Sequence, residues 1–260
     1  MSPVLAFGDD RSEAASRCWE WIVDHRWAGW GLEIITAEPP ADMHPVAPEE
    51  AELHPWQPDE PRDAAEGGFS SVEHLRAEVD PRIALIARPW DLVAIGPRGS
   101  GFLKSLHLGS TADWLLREPA SPLVIARQPG PVTRVLLAAD GSAHAKRTTA
   151  CLAAIPWIQD VTVEVVAVDD GQIDVESALT SATEVLSVSG AGVTTVALHG
   201  SPTRAISERI EETTPHLVAM GAKGSGGGLK QLVLGSTTAA IAGSTQCSIL
   251  VAHAQGDDDA

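Results

Sequence analysis

Two glycine-rich stretches of similar sequence stand where they could bind phosphate. The first reads GPRGSGFLKSLHLGST from Gly96 to Thr111, and the second reads GAKGSGGGLKQLVLGST from Gly221 to Thr237. Each follows a short apolar run, DLVAI or HLVAM, that is typical of a buried strand. Glycine lets backbone N–H groups approach a ligand closely, and the start of a following helix adds N–H donors for an anion. Glycines that only connect a strand to a helix would look similar, but repetition of the whole stretch favours phosphate binding.

A second feature also occurs twice, an apolar strand that ends in an acidic turn. VLAFGDDRS leads to Asp10, and VLLAADGS leads to Asp140. In a chain of alternating strands and helices the carboxyl ends of the parallel strands meet at one edge of the sheet. We therefore expect the acidic turn and the glycine stretch of each half to form one crevice. A carboxylate suits the hydroxyl or amino groups of a nucleoside, whereas backbone N–H groups suit phosphate oxygens.

The elements that position these residues follow the same order in both halves. Apolar runs alternate with helical patterns as strand, helix, strand, helix, strand, helix, strand, helix, strand. The predicted fold class is α/β, with two tandem doubly wound parallel-sheet domains at residues 1–128 and 132–254 of the 260-residue chain. In the first half, Phe69–Leu75 is predicted as the third strand, and a helix is predicted from Pro81 to about Arg88.

One stretch of the first half departs from this alternation. Residues 38–68 are rich in proline and mostly acidic, so they are predicted to form a loop. We interpret the stretch as a solvated insertion, while a lid over the ligand site and an arm that binds a partner remain alternative hypotheses. The acidic tail at residues 255–260 is predicted to be disordered and without function.

Composition excludes several classes of function. The net charge of −17 argues against broad nucleic-acid or anionic-membrane binding, although local basic spots could exist. The sequence has no long apolar run and no signal-peptide pattern, so a soluble, cytoplasmic protein is expected. Three distant cysteines predict neither a disulfide scaffold nor a zinc site. A Walker lysine motif, an HExxH motif and a nucleophile with a histidine base are not found, so no catalytic or metal-binding residue is predicted.

Together these motifs resemble the universal stress protein family in a tandem arrangement. Nucleotide-binding members carry Gly, two residues, Gly, nine residues, Gly and then Ser or Thr, and the first half has this spacing at Gly96, Gly99, Gly109 and Ser110. In the second half, ten residues separate Gly224 from Gly235. The family's aspartate after strand one is matched by Asp10 and Asp140. Arg11 replaces the family's glycine, and we expect it to crowd the first site.

The resemblance implies a sandwich-like α/β fold related to the adenine-nucleotide alpha hydrolases. It also implies an adenine nucleotide, ATP with or without Mg²⁺, as the ligand. Asp10 and Asp140 would contact ribose or adenine, and the backbone at Ala37 and Val168 would meet the adenine. The phosphates would be held in the first half by Gly96, Arg98, Gly99, Gly109, Ser110 and Thr111, and in the second half by Gly221, Gly224, Gly235, Ser236 and Thr237. Lys223 stands where Arg98 stands in the other copy.

Three hypotheses on function follow. The first is an ATP-binding regulator of the stress response that lacks fast chemistry. The second is a slow ATP hydrolase that uses Asp10, Asp140 or a Mg²⁺-bound water. The third is an interaction module with degenerate, empty sites. A Rossmann dinucleotide enzyme ranks low because GxGxxG does not follow the first strand.

Assembly can also be predicted from the resemblance. In the family the closing strands pair between domains. The strands PLVIA and SILVA are therefore expected to pair within the chain about a pseudo-twofold axis, and a homodimer is a further expectation. The sequence identifies no protein partner.

Overall fold

The structure is a computed structural model that describes residues 2–40, 46–98, 108–118, 120–224 and 234–254. The chain divides into two compact units. Unit 1 comprises Met1–Leu115 and Leu123–Pro131, and unit 2 comprises Leu116–Pro122 and Val132–Ala260. The acidic tail that the sequence predicts lies outside the described residues, as does Gly99.

Unit 1 is built on a mostly parallel sheet. Its strands are Val4–Gly8 (β1), Gly31–Ala37 (β2), His54–Pro55 (β3), Ser71–Ala77 (β4), Leu92–Ile95 (β5) and Leu123–Ile125 (β6). Its helices are Glu13–Val23 (α1), Pro81–Ala84 (α2) and Ser110–Leu115 (α3). The strand order is β3-β4-β2-β1-β5-β6, and the described pairings are parallel except that of β3 with β4.

Unit 2 repeats this plan with longer helices. Its strands are Arg134–Ala138 (β7), Thr162–Asp169 (β8), Gly192–His199 (β9), Leu217–Gly221 (β10) and Ser248–Ala252 (β11). Its helices are Ala143–Ala154 (α4), Val175–Ser187 (α5), Pro202–Thr213 (α6) and Ser236–Ser244 (α7). The strand order is β11-β10-β7-β8-β9, with β8 and β9 on one side of β7 and β10 and β11 on the other. The described pairings are all parallel. Helix α4 packs on α5, and α6 packs on α7, as right-handed crossovers on two faces of one sheet require. The predicted fold class is confirmed.

The predicted alternation of strands and helices is wrong for one part of unit 1. Between β2 and β4, where unit 2 has α5, the described residues contain the 3₁₀ turns Pro48–Glu50 and Ala65–Gly67 and the short strand β3. Prolines remove the N–H donors that a longer helix would need. The helix that begins at Pro81 is also shorter than predicted and ends at Ala84. Pro89 accounts only for the absence of helix at Arg88, because the residue before a proline disfavours helical backbone.

Side chains of both sheets form the cores. In unit 1, the aromatic residues Trp21, Trp27 and Phe7 are fully buried beside β1 and α1, which accounts for the apolar spacing of α1. Strands β5 and β10 are buried along nearly their whole length, as expected for central parallel strands. Among the described residues, no helix is long and apolar enough to cross a membrane.

Candidate functional site

The acidic turns of the two units have the same geometry. Ser12 caps α1, because its Oγ accepts a hydrogen bond from the Ala15 N–H at 3.1 Å. The Asp10 carboxylate accepts from the Ser12 N–H at 3.0 Å. In unit 2 the Ser142 N–H donates to Asp140 at the same distance, 3.0 Å, and Ser142 caps α4. Both aspartates are thus fixed at a strand end, directly before the first turn of a helix.

The residue after each aspartate adopts left-handed backbone. Gly141 has φ +77° and Arg11 has φ +59°. Glycine takes this conformation freely, whereas a residue with a Cβ does so at a cost of about 1–2 kcal/mol. The Arg11 side chain is held 3.2 Å from the Asp9 carboxylate. Arg11 is not among the residues that line the cleft described below, and its effect on ligand binding stays a prediction.

The first glycine of each stretch is required by packing. A Cβ at Gly96 would lie 2.5 Å from the carbonyl oxygen of Ala14, in the first turn of α1. A Cβ at Gly221 would lie 2.7 Å from the Ala145 N–H nitrogen in the first turn of α4. Both contacts are with backbone atoms. The two glycines therefore let the acidic turn and the glycine stretch come into contact.

Each glycine stretch is also closed by the same backbone hydrogen bond. The Gly109 N–H donates to the Pro97 carbonyl at 2.7 Å, and the Gly235 N–H donates to the Ala222 carbonyl at 2.8 Å. These two N–H groups are used within the protein. The donors nearest to a bound anion would instead be those of Ser110 and Thr111 in unit 1 and those of Ser236 and Thr237 in unit 2, at the starts of α3 and α7.

In unit 1 these elements enclose a cleft. Its volume is about 580 Å³ when the space open to solvent is included and about 80 Å³ as an enclosed cavity. Of the residues predicted from the sequence, the lining contains Asp10, Ala37, Gly96, Arg98 and Thr111. They come from the ends of β1, β2 and β5 and from α3. We call this cavity the unit 1 cleft. Gly109 and Ser110 lie directly before Thr111 without being part of the lining.

Unit 2 brings two of its predicted residues, Asp140 and Gly224, close together. A Cβ at Gly224 would lie 2.9 Å from the Asp140 Oδ2 atom, and the Ser142 hydroxyl donates to the Lys223 carbonyl at 3.3 Å. Val168 is buried in β8, where it pairs with Leu198. Thr237 shares a hydrogen bond of 3.1 Å with Thr203. A separate cavity of about 300 Å³ lies between α4 and α5 and is lined by other residues.

With this geometry known, comparison with other proteins becomes informative. Residues 131–253 match the model of the Universal stress protein family. The second half of the chain therefore contains a universal stress protein domain. A universal stress protein from Synechocystis is 30% identical over 165 residues, which are 62% of this chain and 57% of that protein. The chain thus matches little more than half the length of this relative.

Solved structures extend the likeness to the fold of nearly the whole chain. A universal stress protein from Archaeoglobus fulgidus has a TM-score of 0.69 and 20% identity, over 98% of this chain and 100% of that chain. A functionally unknown protein from Pseudomonas aeruginosa has a TM-score of 0.58 and 13% identity, over 97% of this chain and 93% of that chain. At these identities the likeness shows a shared fold.

In unit 1, a buried ion pair beside the unit 1 cleft is the feature that sequence reasoning missed. Asp9 lines the cleft with a side chain of 0% exposure. Arg62, in the Pro-rich stretch, donates to both Asp9 oxygens at 2.9 Å. Burial opposes ionisation of Asp9, but the hydrogen bonds from Arg62 and from the Arg11 backbone outweigh it and lower the pKa of this carboxyl. The same contact raises the pKa of Arg62.

The described part of residues 38–68 is exposed or half-buried except at Gly67, as a solvated insertion would be, but it also contacts the rest of unit 1 at several points. Besides the Arg62 contact, the Trp56 N–H donates to the His74 carbonyl at 3.0 Å, and the Trp27 N–H donates to the Gly67 carbonyl at 2.7 Å. The pair of adjacent aspartates at the end of β1 was the available signal for Asp9. Within the described residues, no group of three or more His, Cys, Asp or Glu side chains is arranged to hold a metal ion.

Proposed function

We propose that this chain is a universal stress protein that binds an adenine nucleotide in the unit 1 cleft and acts as a regulatory protein of the stress response. One observation carries the proposal. The unit 1 cleft is lined by five residues that were selected from sequence for nucleoside or phosphate contacts, and these residues come from four different elements. A turn that served only to connect a strand to a helix would not need residues at the ends of β1 and β2 in the same cleft.

The chemistry of the lining fits the two ends of a nucleotide. Asp10 offers a carboxylate to ribose hydroxyl groups, and the edge of β2 at Ala37 offers backbone groups to adenine. The apolar side chains of Ile35 and Leu85 provide a surface for the flat base. At the other end, Arg98 and the hydroxyl of Thr111 suit phosphate oxygens. Gly96 and Gly109 shape this wall through packing and through closure of the loop.

The number of sites and domains is part of the same proposal. We infer that residues 1–128 are a second universal stress protein domain that precedes the one at residues 132–254. We assign the nucleotide to unit 1, where residues predicted from the sequence line one cleft. Pairing through the closing strands and homodimer formation stay predictions.

An equilibrium titration with ATP tests the proposal. Isothermal calorimetry on the full chain, with and without Mg²⁺, is expected to show saturable binding of ATP below millimolar concentration. Arg98→Ala is expected to weaken binding of ATP more than binding of adenosine, because the lost charge faces phosphate. Arg134, an exposed cation at the start of β7, provides the control variant Arg134→Ala. Absence of binding by the unsubstituted chain up to millimolar ATP would reject the proposal and favour an interaction protein with empty sites.

A further inference from the structure

The two units differ at one position directly behind the site. The acidic turn of unit 1 begins with Asp9, whereas the equivalent residue of unit 2 is Ala139, and both are buried. Unit 1 thus has an additional carboxylate in the wall of its cleft. The Pro-rich stretch supplies Arg62 to this carboxylate, and unit 2 has α5 where that stretch stands. The additional carboxylate, Asp9, and the arginine that pairs with it, Arg62, thus occur in the same unit.

The contact between these residues is close and specific. Arg62 Nε lies 2.9 Å from Asp9 Oδ2, and Arg62 Nη2 lies 2.9 Å from Asp9 Oδ1. The guanidinium also lies within 3.4 Å of the Ser16 hydroxyl and 5.9 Å from the ring of Trp19, both on α1. The Arg62 side chain is only 15% exposed. A bidentate pair of this kind is stronger and more directional than a surface ion pair.

An unpaired carboxylate at Asp9 would oppose an anionic ligand. Asp9 and Asp10 are consecutive in the lining, and the nucleotide of the proposed function carries several negative charges. Repulsion between like charges is large where water is scarce and is weakly screened by salt. The positive charge of Arg62 offsets the negative charge of Asp9 and removes this repulsion. Because Arg62 does not line the cleft, the space for the ligand stays open.

We propose that Arg62 is a positioning residue for the unit 1 cleft: it holds the Asp9 carboxylate in the wall and neutralises it, so that the cleft accepts an anionic nucleotide. This inference rests on the proposed function. Arg62 acts through Asp9 and does not itself line the cleft. The Pro-rich stretch is, in this account, the segment that supplies the missing counter-charge to the first site.

Several other titratable or charged groups face Asp9 and bear on how its charge depends on pH. They are Arg11 and Asp10 on the acidic turn, Cys18 on α1 and His74 on β4. Burial lowers the pKa of His74, so it adds little charge near neutral pH. Burial raises the pKa of the Cys18 thiol, which stays neutral. Without Arg62, the Arg11 side chain remains as a more exposed partner, and the pKa of Asp9 should rise.

The experiment compares the dissociation constant for ATP across pH 5 to 8 for the full chain and its variants. In Arg62→Gln, binding of ATP is expected to be about tenfold weaker at pH 8, and the deficit should shrink as pH falls and Asp9 takes up a proton. The ratio of variant to unsubstituted constants at each pH cancels the titration of ATP itself. Arg62→Lys keeps the charge and is expected to bind within about threefold of the unsubstituted chain.

Two further variants distinguish the effect of the Asp9 charge on ATP binding from an effect on folding. The double variant Asp9→Ala/Arg62→Ala reproduces the alanine of unit 2 and removes both charges of the buried pair, so it should bind ATP within about threefold at every pH. Arg17→Gln removes an exposed arginine on α1 that pairs with Glu13 and should leave binding unchanged.

Three results would overturn the inference. They are a deficit in Arg62→Gln that is independent of pH, no deficit at all, or weak binding by the double variant. If the unsubstituted chain does not bind ATP, the proposed function falls as well, and this outcome is distinct from the other three.

Discussion

Replacing Gly96 with alanine should destabilise unit 1 strongly. The added Cβ would lie 2.5 Å from the carbonyl oxygen of Ala14, 2.6 Å from its carbonyl carbon and 3.0 Å from its Cβ. Contacts this short require a shift of several tenths of an ångström. The colliding atoms belong to the backbone of α1, so no side-chain rotation can relieve them. Overpacking of this kind costs about 1–3 kcal/mol, and we expect a value near the upper end.

Tryptophan fluorescence can report the loss of stability of unit 1 separately from that of unit 2. Seven of the eight tryptophans lie in unit 1, and Trp157 is the one in unit 2. In a Trp157→Phe background, unfolding by urea therefore reports unit 1. With a slope of about 2 kcal/mol per M, a loss of about 3 kcal/mol lowers the urea midpoint by about 1.5 M.

Gly243 provides the matched control, because a Cβ there meets no atom within 4 Å. Gly243→Ala lies in α7 and should leave the unit 1 midpoint unchanged, while it stabilises α7 by roughly 0.5–1 kcal/mol. If Gly96→Ala shifted the midpoint by less than 0.2 M, packing against α1 would not be the reason for the glycine. The glycine would then be needed for access of the ligand alone.

Three other perturbations test the turns and the buried pair. Asp9 has a lowered pKa in the folded protein, so its ionised form stabilises unit 1 above about pH 4, the unfolded value, and this contribution is lost as pH falls through the folded pKa. The difference in unfolding free energy between the unsubstituted chain and Asp9→Ala/Arg62→Ala, measured with urea at pH 6 and pH 3, should therefore change in favour of the double variant at pH 3. A difference that is the same at both pH values would contradict this sign. Gly141→Ala should cost about 1 kcal/mol in unit 2, because φ is +77°, and thermal unfolding that matches the unsubstituted protein would refute the left-handed turn. Ser12→Ala and Ser142→Ala should each cost about 1 kcal/mol through loss of a helix cap, measured by the same unfolding, and an effect in only one unit would show that the two turns are not equivalent.

Local signals in the sequence were sufficient to predict much of the fold. The apolar runs before Gly96 and Gly221 became the buried strands β5 and β10. These features depend on neighbouring residues, whose apolar pattern can be seen along the chain. The same is true of the cleft lining, because strand ends in a parallel sheet must meet at one edge.

The features that sequence reasoning missed depend on residues far apart in the chain. Asp9 and Arg62 are separated by 53 positions, and the composition around Arg62 is that of a solvated loop. Proline content correctly excluded a long helix in the described part of this stretch, but it gave no information on whether the loop packs. The packing role of Gly96 was hidden in a similar way, because its close neighbour, Ala14, belongs to another element.

The most direct test of nucleotide binding in unit 1 uses the two equivalent aspartates. Asp10→Ala and Asp140→Ala remove the same side chain from turns of the same geometry, so each serves as the control for the other. The measurement is the stoichiometry and affinity of ATP binding to the full chain by calorimetry. We predict one ATP per chain for the unsubstituted protein and for Asp140→Ala, with affinity reduced at least tenfold in Asp10→Ala. Unchanged binding in Asp10→Ala together with lost binding in Asp140→Ala would contradict the assignment.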